Sequence, residues 1–174
     1  MLEAIEIINN IIAQHQKITE MIKSTGTKMN DIDAVFSIQN STWQIAWMTE
    51  TMPKLLERRE AMLNVINILS EGLKKHFEYE HKVMPLVLGE QLVKDILHDH
   101  DRVLAQVAAT QTLLASLSDL KPEDFQAKRL DLIQDIDDLR DLVLNHAHYE
   151  EIVLRSIKQV FEDNLSTRSK LKLT

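Results

Sequence analysis

Apolar residues recur in steps of three and four along most of the chain, the period of a helix with one buried face. One series reads Met62, Ile66, Leu69, Leu73 and resumes at Val83 and Val87. Another reads Leu132, Ile136, Leu139, Val143 and resumes at Val153 and Ile157. Shorter stripes run through Ile8, Ile11, Ile12, Ile18 and Ile22, and through Val93, Ile96, Leu97, Val103 and Val107. The alternation of period two that marks a half-buried strand is missing.

The breaks between stripes place the helix ends. A first helix is expected from about Leu2 to Ser24, stopping in STGTKMND with Gly26 as its terminator. Residues 31–50 carry Trp43 and Trp47 one turn apart and read as a short helix or two, packed on the core, covering one end of it or offering an interaction surface. A second long helix starts near Thr51, with Pro53 in its first turn, and runs to about Leu88, where Gly89 ends it. A third spans Glu90 to about Ser118, and after SDLKPED a fourth spans about Pro122 to Asp163. The pattern predicts an all-α, antiparallel up-down-up-down four-helix bundle with an extra short helical segment in the first crossover. No linker or low-complexity stretch divides residues 1–174, so a single domain is expected, with 165–174 as a frayed tail.

Composition narrows the class. With Gly 3 and Pro 3 in 174 residues and 5% aromatics, the core must be mostly aliphatic. A net charge of −7 without a dense run of Lys or Arg argues against nucleic acid as a partner. The absence of Cys removes disulfides, thiolate metal sites, iron–sulfur clusters and cysteine nucleophiles together. No apolar run approaches the roughly 18–20 residues of a membrane span, and MLEAIEIINN lacks the basic start of a secretory signal. The expectation is a cytoplasmic protein without a membrane partner.

The stripes are interrupted in a systematic way. His76 and Glu80 stand where the second helix calls for Leu, and His146 and Glu150 do the same in the fourth, every position offset by 70. His15 and His100 interrupt the first and third stripes at an offset of 85. The chain is therefore two copies of one helical hairpin, each with a His on its first helix and a His plus a Glu on its second. Depth agrees: His76 lies 13 residues before Gly89 and His100 lies 11 after it. At ~1.5 Å per residue both sit at nearly the same level.

A lone core histidine is usually a satisfied structural residue, and a lone His-x-x-x-Glu is often only a side-chain pair. Six such residues at one depth are different. Buried carboxylates without partners cost several kcal/mol each, and these stripes offer no Arg or Lys to pair with them. A cation satisfies them. Imidazole and carboxylate donors without sulfur suit iron, and less specifically zinc or manganese. Spaced at i and i+4, His and Glu leave one helix face roughly 6 Å apart along the axis, enough to serve two metals.

QHQKI around His15, HFEYEHKVMP, DHDRVL around His100 and HAHYEEIVL together resemble the haemerythrin-like, or HHE cation-binding, family over nearly the whole chain. The resemblance implies a non-haem centre of two iron ions bridged by two carboxylates and a solvent-derived oxygen (oxo or hydroxo). It makes His15, His76, His100 and His146 terminal ligands and Glu80 and Glu150 the bridges, with dioxygen or nitric oxide as the bound ligand. Oxygen carriers of the family have a further His where this chain has Leu104, and a His-x-x-x-x-Asp where it has His-x-x-x-Glu. Those differences turn the expectation from simple carriage toward sensing, storage or an iron or redox response. Relatives that repair iron–sulfur clusters carry a Cys-bearing segment that is missing here. A ferritin-like site needs Glu-x-x-His on two helices; Glu78 and His81 supply it once, but Val143 stands at the matching place before His146.

Tyr79 and Tyr149, the only tyrosines, occupy equivalent places just before the two glutamates. They are read as amphipathic packing residues, or else as hydroxyl donors to a bridging Glu or bound ligand. His81 reads as a solvated flank or a further partner of the centre, and His98 and His148 as surface residues. The acidic run DLIQDIDDLRD reads as a solvated face. Two other function classes remain: a di-iron enzyme reducing peroxide or oxygen, and a metal-binding helical module that engages a protein partner or a second copy of itself.

Overall fold

The computed structural model describes residues 1–38, 52–119 and 121–171. All regular structure among them is helical: α1 (Leu2–Ile38), α2 (Met52–Leu88), α3 (Glu90–Ser116), a 3-10 turn (Leu117–Asp119) and α4 (Pro122–Leu171). α1 packs on α2 and α4, and α3 packs on the same two helices from the other side. The predicted stripes are the buried surface. Ile8, Ile11, Ile66, Leu69, Leu73, Val103 and Leu139 all lose essentially all contact with solvent.

These residues form two apolar clusters rather than one. The first gathers Ile8, Ile11, Met84, Leu88, Val93, Ile96 and Leu154 around the Gly89 end. The second gathers Ile22, Ile66, Leu73, Val107, Leu114, Ile136 and Leu139. The chain passes from the first cluster to the second along α1, returns along α2, crosses again along α3 and returns along α4. The helix level between the clusters belongs to the polar interruptions of the stripes.

Three helix ends differ from expectation. α1 continues through Gly26 to Ile38; a single glycine inside a helix costs only about 1 kcal/mol relative to Ala, and no proline follows to stop the turn. Residues 31–38, expected in a separate short helix, thus belong to α1. The rest of that segment, with Trp43 and Trp47, lies outside the described residues. α4 continues past Asp163 to Leu171, so most of the expected tail is helical; NLSTRSKL contains neither Gly nor Pro. α3 gives way to a 3-10 turn two residues before its expected end.

The α2–α3 connection is one residue, Gly89, at φ 77°. Its N–H donates to the Pro85 carbonyl at 3.0 Å, and the positive φ is a conformation that other residues rarely adopt. One acid of the DLIQDIDDLRD run turns inward. Asp135 accepts from the buried Thr110 hydroxyl at 2.5 Å and from Gln106 Nε2 at 3.0 Å, tying α3 to α4.

Candidate metal centre

His15, His76, Glu80, His100, His146 and Glu150 are all buried and lie between the two apolar clusters, one or two per helix. Glu80 Oε1 lies 3.3 Å from His15 Nε2 and 2.9 Å from His76 Nε2, while its Oε2 lies 3.2 Å from His100 Nε2. Glu150 Oε2 lies 3.3 Å from both His15 Nε2 and His146 Nε2. One carboxylate therefore touches histidines from three helices, and the other touches histidines from two.

None of these approaches has hydrogen-bond geometry. The four Nε2 atoms and all four carboxylate oxygens are buried without a hydrogen-bond partner. Eight orphaned polar atoms in one place contradict the near-universal pairing of buried polar groups. Donor atoms from the six residues fall into two overlapping groups, each within 4.8 Å: His15, His76 and Glu80, and Glu80, His100, His146 and Glu150. Either set of nitrogen and oxygen donors could hold a cation, and Glu80 belongs to both.

Electrostatics tell the same story from the side of the protein alone. Burial works against a charge on His15, yet contact with Glu150 and Glu80 outweighs it and raises its pKa to about 9. Burial likewise opposes ionisation of Glu80, but His100, His15 and His76 hold its pKa below the usual carboxylate value. Glu150 is pushed the other way: burial and the neighbouring Glu80 charge outweigh His15 and raise its pKa. Burial, with repulsion from His100, lowers that of His146 to about 4. Without a metal, the site is thus neutralised by a proton on His15 placed between two carboxylates. A cation in its place supplies more positive charge to the two carboxylates, so the residues present fit a metal.

The sign of the His15 effect gives a pH prediction. Its folded pKa lies above the ordinary histidine value of 6.5, so its contribution to the stability of the metal-free protein is complete below about 6.5 and is lost as pH rises to about 9. Metal must displace the same proton, so affinity is expected to rise over that window. Thermal melts of the metal-free chain with parallel zinc titrations check both slopes; a flat response between pH 7 and 9 would sink the assignment.

The outward atoms of two of the rings are held too. His76 Nδ1–H donates to Gln14 Oε1 at 2.9 Å. His100 Nδ1 lies 3.2 Å from His81 Nε2, with the two rings stacked at 5.3 Å. His81 is exposed and at the same time reaches His100 of the cluster. Phe77, which the stripes did not single out, lies flat on His100 at 3.9 Å and edge-on to His146 at 5.6 Å. A shallow groove lined by Gln16, Thr19, Glu20, Lys23 and Glu151 lies on the α1–α4 side.

The tyrosines do not behave alike. Tyr149 is 56% exposed, whereas Tyr79 packs against the apolar cluster at the Gly89 end. Among the described residues neither hydroxyl bonds to the cluster. Glu78 is exposed, as are His98 and His148.

A helical bundle whose central layer is a buried His/Glu cluster defines a cation-binding protein of the four-helix type. The family model described as "Hemerythrin HHE cation binding domain" matches residues 6–156, and the chain belongs to that family. No match is found among the curated proteins or among the solved structures. Among the described residues no helix is long and apolar enough to cross a membrane.

Proposed function

We propose that this chain is a cytoplasmic, single-domain, non-haem di-iron protein that binds dioxygen or nitric oxide in sensing, storage or an iron or redox response. His15, His76, His100 and His146 serve as terminal ligands, and Glu80 and Glu150 bridge. The observation that carries the reading is the convergence of eight partnerless buried donor atoms into two groups that share Glu80. An iron pair bound there supplies open coordination positions and the electrons to engage a diatomic ligand. The chain excludes bulk water with the apolar clusters on either side and keeps each Nε2 directed inward. The donor set favours iron, with zinc or manganese as the competing occupants.

An enzyme reducing peroxide or oxygen with help from a tyrosine draws little from the geometry, because Tyr149 is exposed and Tyr79 packs among aliphatic side chains. Metal analysis of the purified chain with a visible spectrum tests the main reading. Two irons per chain, one for each group, with charge-transfer absorption are expected; a colourless, iron-free protein would reduce the bundle to an interaction module. Nitric oxide or oxygen added to the reduced form then separates a stable adduct from turnover.

A further inference from the structure

The cluster is surrounded by a second set of residues that follows the same internal repeat. Gln14 directly precedes His15, and Asp99 directly precedes His100 at the offset of 85. His81 directly follows Glu80, and Glu151 directly follows Glu150 at the offset of 70. Three of them approach the histidine of the next helix round the bundle. Gln14 of α1 accepts from His76 of α2, and His81 of α2 meets His100 of α3. Asp99 of α3 is the repeat equivalent of Gln14, and by that symmetry it is assigned to His146 of α4. Glu151 of α4 places Oε1 3.9 Å from Nδ1 of His15 on α1, a buried nitrogen with no hydrogen-bond partner.

We propose that Gln14, His81, Asp99 and Glu151 form a ring of positioning residues, one per helix, each fixing the Nδ1 side of the next helix's histidine so that all four imidazoles present Nε2 to the centre. The ring deepens the proposed metal centre and rests on it for its purpose, while the tautomers it sets belong to the protein alone. Its members differ in charge. Gln14 and His81 are not carboxylates and stand at hydrogen-bond distance. The two acids are each held one turn along by an arginine: Arg102 donates to Asp99 Oδ1 at 2.8 Å and Arg155 to Glu151 Oε2 at 2.7 Å. A carboxylate behind an imidazole makes its other nitrogen a stronger donor. By the repeat, each of the two donor groups contains one histidine paired with an acid and one paired with Gln14 or His81. The ring therefore balances the two positions, and removal of a single acid makes them unequal.

Nitrogen-15 NMR of the metal-free full chain reads the tautomers directly. His76 and His100 are expected to carry their proton on Nδ1. Gln14→Leu should mix the tautomers of His76 alone, and His81→Leu those of His100 alone. Zinc affinity at the affected position should fall about 10- to 100-fold, and His81→Gln, which keeps an acceptor, should recover most of it. Glu151→Gln should split zinc binding into two distinct steps. His81 is exposed, so its variants should fold; circular dichroism verifies this. Unchanged tautomers in both leucine variants, or changes spread over all four histidines, would overturn the ring. If the unaltered chain takes up no metal, the proposed function fails, and the tautomers still decide the ring by themselves.

Discussion

Glu80→Ala is expected to abolish metal binding at both positions, although it removes a single carboxylate. Glu80 alone belongs to both donor groups, and its two oxygens meet histidines on α1, α2 and α3. Glu150→Ala is the informative contrast. It leaves His15, His76 and Glu80 intact as a group, so about one metal per chain should survive of the two proposed. His98→Ala, at an exposed position, should keep the full complement. Metal analysis of the three variants after identical loading checks the order. Equal content in Glu80→Ala and His98→Ala would refute the ligand assignment.

Phe77→Ala should be the most damaging apolar substitution near the site. The side chain is 3% exposed and packs with the cluster of Leu69, Leu73 and Val143, so truncation should cost about 3–5 kcal/mol. For a chain of this size that corresponds to a fall of roughly 6–20 °C in melting temperature. It also removes the flat contact on His100, so metal affinity should drop along with stability. Phe77→Leu restores volume but not the stacking surface. It should recover most of the melting temperature and less of the affinity, and equal recovery of both would deny Phe77 a role in holding the ring.

The six central residues were legible because each stands in an aliphatic stripe where a charged or titratable side chain has no ordinary reason to be. Two stripes with the same interruption reinforce each other, and counting from Gly89 brought their levels together. Phe77 escaped notice because an aromatic residue on a buried helix face looks like any other core residue. The signal available was its repeat partner: the equivalent position holds Ala147, which is also buried. Gln14, His81, Asp99 and Glu151 lie one residue off the stripe, where helix phase alone predicts solvent. Their meaning depends on the neighbouring helix passing at the same depth, which one helix's periodicity does not contain. Gly26 shows the opposite error. A residue that often ends helices points to an end there, yet no proline follows it before Ile38, where the helix stops.

The one-residue turn at Gly89 has a consequence for how the molecule assembles. Loop-closure entropy rises with the length of chain that must be tied back, and no pairing in the bundle ties back less than α2 with α3. That hairpin by itself carries His76, Glu80, Phe77 and His100 at a common level, including the stacked rings and the carboxylate that reaches across the helices. Half of the polar layer thus rests on local contacts of low contact order. α1 and α4 complete the layer with His15, His146 and Glu150.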